Sequence, residues 1–267
     1  MNRMQSLIRD WWVVEAMIAS QNHVYQVALG THYEETGVIG VCDYSDSSAN
    51  PSFQIEFLAL NPEPQLVIDA VRAYPREANQ KYVLKVFHAE PSDPELKEKY
   101  LDHGYAFQHA GLFLALNLPV IVRTRWPNIY RIKTKDQLDF ANTDLAAEDQ
   151  QISESLLDDP FVHSFYVDQD GHVVGWAQLV TVYPGVGCLH QLFTMSAFRR
   201  QGIGNALMEH IHGEAMTQGL THIVLNPTDI SMRIFRRQGY QPAAYFSVFE
   251  PRDQIDLSKQ KTLKKLT

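Results

Sequence analysis

One segment constrains this chain more than any other: Leu189–Ala206, which reads LHQLFTMSAFRRQGIGNA. An apolar, strand-forming run enters Arg199-Arg200-Gln201-Gly202-Ile203-Gly204, and a helical pattern begins at once. A strand turning through two glycines into a helix belongs to an α/β fold. Gly202 and Gly204 lack Cβ atoms, so backbone amides there can close around an anion. The helix start adds unpaired N–H groups and the positive end of the helix dipole. Arg199 and Arg200 supply countercharge, and together these features describe a phosphate cradle. It is not a Walker loop, because the Lys-Ser/Thr ending is absent. Gly-x-Gly without a later Gly also misses the dinucleotide fingerprint.

The chain around this segment reads as two passes through one rhythm. Met4–Ser20 carries a helical apolar stripe, and His23–Leu29, Gly37–Cys42 and Ser52–Leu60 read as strands between polar turns. Pro64–Tyr74 reads as a helix, Lys81–Phe87 as a strand, Asp93–Asp102 as a helix and Gly111–Leu118 as a strand. In the second pass, Asn128–Lys133 is a strand and Asp136–Leu157 is helical. Val162–Val167 and Val173–Val182 then form a hairpin across Asp170-Gly171. The strand Gly187–Met195, the helix Gly204–Gln218, the strand His222–Leu225, the helix Ser231–Gln238 and the strand Ala244–Phe249 follow. Lys99–Tyr105 (KYLDHGY) aligns with Ile234–Tyr240 (IFRRQGY), each a helix end stopped by Gly before an aromatic strand. A duplicated fold accounts for both, with domains 1–118 and 119–267 meeting at Leu118-Pro119.

Composition narrows the function classes. Hydrophobic residues at 45% and charged residues at 20% fit a folded globular chain rather than a disordered one. A net charge of −8 argues against a general nucleic-acid binder. The deficit lies in the first 118 residues, with 8 basic and 15 acidic side chains. The basic tail Lys259, Lys261, Lys264, Lys265 reads as a solvated terminus. Two cysteines, Cys42 and Cys188, make no disulfide framework, and the eleven histidines show no metal spacing such as HExxH. No run approaches the ~18 apolar residues of a membrane span, and no signal-peptide core forms at the N-terminus. A cytoplasmic protein is expected, with no metal, no nucleic-acid partner and no membrane partner.

Arg199-x-x-Gly202-x-Gly204, set from strand to helix about thirty residues before a helix–Gly–aromatic junction, resembles the loop of the GNAT superfamily of acyl-CoA-dependent N-acyltransferases. The resemblance covers residues 128–250 and implies two GNAT-like mixed-sheet domains in tandem. By the resemblance, Arg199, Arg200, Gln201, Gly202, Ile203, Gly204 and Asn205 hold the pyrophosphate of acetyl-CoA, the co-substrate. Backbone groups of Leu192, Phe193, Thr194 and Met195, on a strand edge splayed from its neighbour, pair with the pantetheine arm. Asn226 and Thr228 stand where the family uses a polar residue on that arm, and capping the next helix is the other reading for them. The first domain reads as degenerate, because its loop position is Asn61-Pro62-Glu63-Pro64-Gln65. There two prolines lack N–H donors and Glu63 repels a phosphate.

The implied reaction is acetyl transfer to a small primary amine by direct attack in a ternary complex. On the strand before the loop, period-two alternation puts Cys188, His190, Leu192 and Thr194 on one face. His190 alone there has an unperturbed pKa near neutrality, and it matches the histidine of arylalkylamine N-acetyltransferases that acts as a water-linked base. A structural histidine within the sheet is the alternative. The family's general acid, a Tyr, is replaced by Phe235, leaving three options: Ser231, Tyr240 or Tyr245 donates, the sulfur leaves as an anion, or the domain binds or senses acyl-CoA without turnover. Trp176, Tyr183 and His163 are candidates to line the acceptor pocket, and a homodimer is compatible with the duplicated fold.

Overall fold

We describe residues 3–45, 53–122 and 128–255 of a computed structural model. In chain order the elements are α1 (Arg3–Leu7), α2 (Trp11–Leu29), β1 (His32–Glu35), β2 (Ile39–Asp43), β3 (Ile55–Ala59), α3 (Pro64–Ala73), β4 (Tyr82–His88), α4 (Pro94–Asp102) and β5 (Tyr105–Asn117). Then come β6 (Ile129–Arg131), α5 (Lys135–Leu145), β7 (Val162–Gln169), β8 (His172–Val180), β9 (Val186–Thr194), α6 (Ile203–Thr217), β10 (His222–Leu225), α7 (Asp229–Arg237) and β11 (Gln241–Pro251). The basic tail from Lys259 lies outside the described residues.

The chain forms two compact units. Unit 1 takes residues 1–9, 31–111 and 244–267. In it β1, β2 and β3 are antiparallel, β3 and β4 run parallel around α3, and β11 pairs antiparallel with β4. Its core includes Phe57, Ile68, Leu84, Tyr100 and Phe249. Unit 2 takes residues 10–30 and 112–243. In it β6 to β9 are antiparallel, β9 and β10 run parallel around α6, and β5 pairs antiparallel with β10. Its main core includes Phe165, Leu179, Leu207, Ile211 and Phe235, and a second cluster joins Leu138 and Leu145 of α5 to Tyr166 and Trp176.

The two units thus repeat one strand order, a meander followed by a parallel pair around a helix. The strand beside each parallel pair comes from the other stretch of sequence: residues 112–117 serve unit 2, and residues 244–251 serve unit 1. This partition departs from a single cut at Leu118-Pro119, because the exchanged strands and α2 cross it. The helix ends also repeat. Gly104 and Gly239 both take left-handed φ, at 90° and 93°. Their N–H groups bond back to the residue three before, and the flanking ring pairs Tyr100–Tyr105 and Phe235–Tyr240 both meet edge to face.

The helix expected over 136–157 ends at Leu145, with only 3₁₀ turns at Ala146–Glu148 and Glu154–Leu156 beyond it, and three other local expectations fail. Residues 23–29, expected as a strand, continue α2 to a left-handed cap at Gly30. Val24, Tyr25 and Val27 have strand-like preferences, but packing of one α2 face (Val13, Val14, Met17, Ser20, Val24) overrides them. The helix expected over Met4–Ser20 breaks into α1 and α2 between Leu7 and Trp11. Third, β5 begins at Tyr105, not Gly111. The Asp170-Gly171 hairpin is as expected, with φ of 55° and 81°.

Candidate active site

Strand β9 runs from the unit 2 core into the glycine loop. Its parallel register with β10 stops at Cys188↔Val224, whereas its antiparallel register with β8 continues to Thr194↔Gly175. From Leu189 onward β9 therefore has an edge that β10 does not pair. Unit 1 differs at the corresponding strands: β3 keeps its register with β4 to its last residue, Ala59↔Val86. On β9, Met195 N–H donates to Val174 O at 3.0 Å. Antiparallel alternation then gives the backbone of Phe193 to β8 as well, and turns the N–H and C=O of Leu192 and Thr194 toward the open edge. Only two of the four residues expected to offer free backbone groups do so, and Thr194 O already accepts from Arg199 Nε at 3.1 Å.

A bulge resets the side chains of β9. Gln178 faces Gln191 while Leu179 faces Leu189, so His190 has no opposite number. Strict alternation breaks there. His190 meets Tyr25 of α2 edge to face at 5.9 Å, and Cys188 lies 3.3 Å from Met17 of the same helix. Leu192 packs instead on the α6 side with Leu207 and Met208, and Thr194 faces Gly204. The single face expected for Cys188, His190, Leu192 and Thr194 is thus split in two.

His190 is not a freely titrating imidazole. Its Nδ1 is buried without a hydrogen-bond partner, and burial lowers its pKa to about 4. The ring is neutral across the physiological range, because an imidazolium under α2 would lose hydration that nothing replaces.

The loop itself is tightly held. Ser196–Phe198 forms one 3₁₀ turn, Arg200 takes a left-handed φ of 66°, and Gly202 caps α6 at φ 90°. No side chain caps α6, so its first N–H groups face outward beside Gly202 and Gly204. Glu148, just after α5, accepts from Ser196 N–H at 2.5 Å and from its hydroxyl at 2.7 Å, and lies 3.7 Å from the Arg199 guanidinium. Those bonds hold the Glu148 carboxyl below its ordinary pKa. Arg199 is thereby a latch on the loop, whereas Arg200 and Gln201 are exposed and uncommitted. The Asn205 side chain is also engaged, accepting from Gln238 and donating to Glu209. The sequence carried no signal for Glu148, which reaches the loop across 48 positions.

The remaining candidates scatter. Asn226 is exposed just past β10, and Thr228 caps α7 in a reciprocal capping box with Ser231. Tyr240 is buried and bonded to His212 at 3.0 Å, and Tyr245 belongs to unit 1, stacked on His88. Trp176 and His163 are core residues, and Tyr183 donates to Glu15 at 2.8 Å. Among the described residues no cluster of His, Cys, Asp or Glu is arranged to hold a metal, and no helix is long and apolar enough to cross a membrane.

Residues 126–240 match the model of the acetyltransferase (GNAT) family, which places a GNAT acetyltransferase domain over β6 to α7. Among solved structures, a GCN5-related N-acetyltransferase from Kribbella flavida is similar, at 18% identity and TM-score 0.62, over 88% of this chain and 94% of that one. A tandem GNAT protein from the clavulanic acid biosynthesis pathway gives 11% identity and TM-score 0.55, over 86% of each chain. A GCN5-related N-acetyltransferase from Sphaerobacter thermophilus gives 16% and 0.54, over 83% of each. At these identities the likeness is one of fold, an α/β mixed sheet. By sequence, no curated protein matches the chain.

Proposed function

We propose that unit 2 binds acetyl-CoA at the glycine loop and transfers its acetyl group to a small primary amine by direct attack in a ternary complex. The observation that carries this reading is the unpaired edge of β9 ending in an uncapped helix start. Gly202, Ile203, Gly204 and Asn205 would present backbone N–H groups to the pyrophosphate, with Arg200 as countercharge. Leu192 and the Thr194 N–H would bond the pantetheine amides as a neighbouring strand does. Acetyl-CoA, when bound, supplies an activated thioester. The amine nitrogen must lose a proton as it attacks, and His190 is the candidate acceptor, directly or through one water. If it serves, the acid limb of kcat/KM falls near pH 4, following the buried ring, and not near the ordinary 6.5.

In this reading unit 1 is a degenerate partner that does not bind CoA. Its β3, paired with β4 along its whole length, and the prolines at 62 and 64 support that assignment. The reaction uses no metal, and the reading places it in the cytoplasm. A second reading, a non-catalytic acyl-CoA-binding or sensing module, draws on Phe235 and on the low basicity of His190. Release of free thiol from acetyl-CoA against a panel of amines separates the two.

Two substitutions test the site's geometry. A Cβ on Gly204 would meet only Thr194 Oγ1, at an ordinary 3.6 Å. Gly204→Ala should therefore stabilise α6 by up to about 1 kcal/mol, yet lower CoA affinity by about tenfold by standing off the phosphate. Opposite signs in thermal melting and calorimetry are the expected result. Phe235 is 4% exposed, against Tyr240 in the core. Phe235→Tyr should destabilise the chain by about 1–3 kcal/mol, through a buried hydroxyl without a partner, and should not raise turnover. A faster, equally stable variant would show the ring facing the reacting sulfur.

A further inference from the structure

The arginines of α7 have no part in the reading above. Asp229, Met232, Arg233, Arg236 and Arg237 line an open cleft of about 450 Å³ on that helix. The spacing i, i+3, i+4 puts three guanidiniums on one side of the helix, where like charges repel. Among the described residues these three guanidiniums make no ion pair or hydrogen bond, and Asp229 is the one carboxylate in the lining. The helix dipole accounts for Arg236 and Arg237 in the last turn, but not for Arg233 in the middle.

The cleft adjoins the glycine loop. Gln238, the residue after Arg237, donates its side-chain amide to Asn205, the third residue of α6. Met232, which lines the same face, packs on the same core as Leu192 and Phe198, which flank the loop's approach. A ligand whose diphosphate rests on the start of α6 thus has a cationic surface beside it. In CoA the group next to the diphosphate, across one ribose, is a 3′-phosphate, a dianion suited to the guanidinium fork.

We propose that Arg233, Arg236 and Arg237 bind the 3′-phosphate of CoA, so that this chain selects CoA over ligands lacking it. The proposal rests on the cofactor reading above and adds the group that sets selectivity. It is tested by calorimetric titration of the full chain with CoA and with 3′-dephospho-CoA. The wild type should bind CoA about tenfold more tightly, the sum of several exposed charge-assisted contacts. The triple variant Arg233→Ala/Arg236→Ala/Arg237→Ala should bind both ligands alike, with its melting temperature little changed, because all three side chains are exposed and the relief of their mutual repulsion offsets the lost dipole contacts. The triple lysine variant should recover part of the preference. Equal binding of both ligands by the wild type, or a preference that survives in the alanine variant, overturns the inference while leaving the loop assignment intact. Binding of neither ligand overturns the loop assignment and the inference together.

Discussion

Gly202→Asp should abolish CoA-induced thermal stabilisation in a chain that still folds. Gly202 sits at φ 90° as the cap of α6, a conformation that costs an L-residue about 1–2 kcal/mol, so the melting temperature of the free variant falls modestly. The carboxylate matters more for the ligand. It stands where the N–H groups of α6 converge and opposes a diphosphate at close range, raising the dissociation constant by at least about 10²-fold. Gly202→Asn separates the two effects, because Asn tolerates the left-handed backbone better and carries no charge. Its binding loss should be clearly the smaller. Unchanged stabilisation of the Asp variant by CoA would remove the loop from the account.

Acid should destabilise unit 2 well before its carboxylates protonate. His190 and His212 both lie near pKa 4 in the folded chain, lowered by burial, with Glu209 partly opposing the shift at His212. Unfolded, both titrate near the ordinary 6.5. Above pH 6.5 neither state holds these protons, and the stability of the neutral rings is present in full. As pH falls from 6.5 to about 4 the unfolded chain binds protons that the native chain refuses, and stability declines with it. At pH 5 the loss is about 2 kcal/mol for each histidine. His163 and His210, also lowered by burial, add to the same slope; denaturant melts at pH 7 and pH 5 measure it, and His190→Gln should flatten it by that residue's own share. A stability curve level across that window would mean that His190 is hydrated and free to titrate, restoring it as an ordinary base.

What the sequence made legible were the features encoded within a few residues of one another. The Asp170-Gly171 turn, the paired helix ends at Gly104 and Gly239 and the strand–glycine–helix passage at 199–204 all depend on backbone conformations that few residues adopt, so the residues announce them. What stayed hidden depends on distant partners. The helical state of residues 23–29 follows from α2 packing in unit 2, and nothing in Val24-Tyr25-Gln26-Val27 encodes it. The bulge at His190 inserts one residue into an otherwise regular strand, and a period-two reading cannot detect the slip. That one residue moved Leu192 and Thr194 to the other face, and α2 packs against the histidine that read as an ordinary base. Glu148, which holds the loop through Ser196, lies in a stretch with no motif at all. The pairing of β5 with β10 and of β11 with β4 is likewise a matter of which strands meet.

We propose the open edge of β9 and the glycine loop as a site for acetyl transfer to an amine. Thiol release from acetyl-CoA by the full chain with a panel of primary amines, with mass spectrometry of the amine, tests this site. Amine-dependent release, a matching mass gain of one acetyl group on the amine, and loss of both in Gly202→Asp are the expected results. Tight binding of acetyl-CoA with no release above background for any amine would contradict the proposal and leave unit 2 as a binding module.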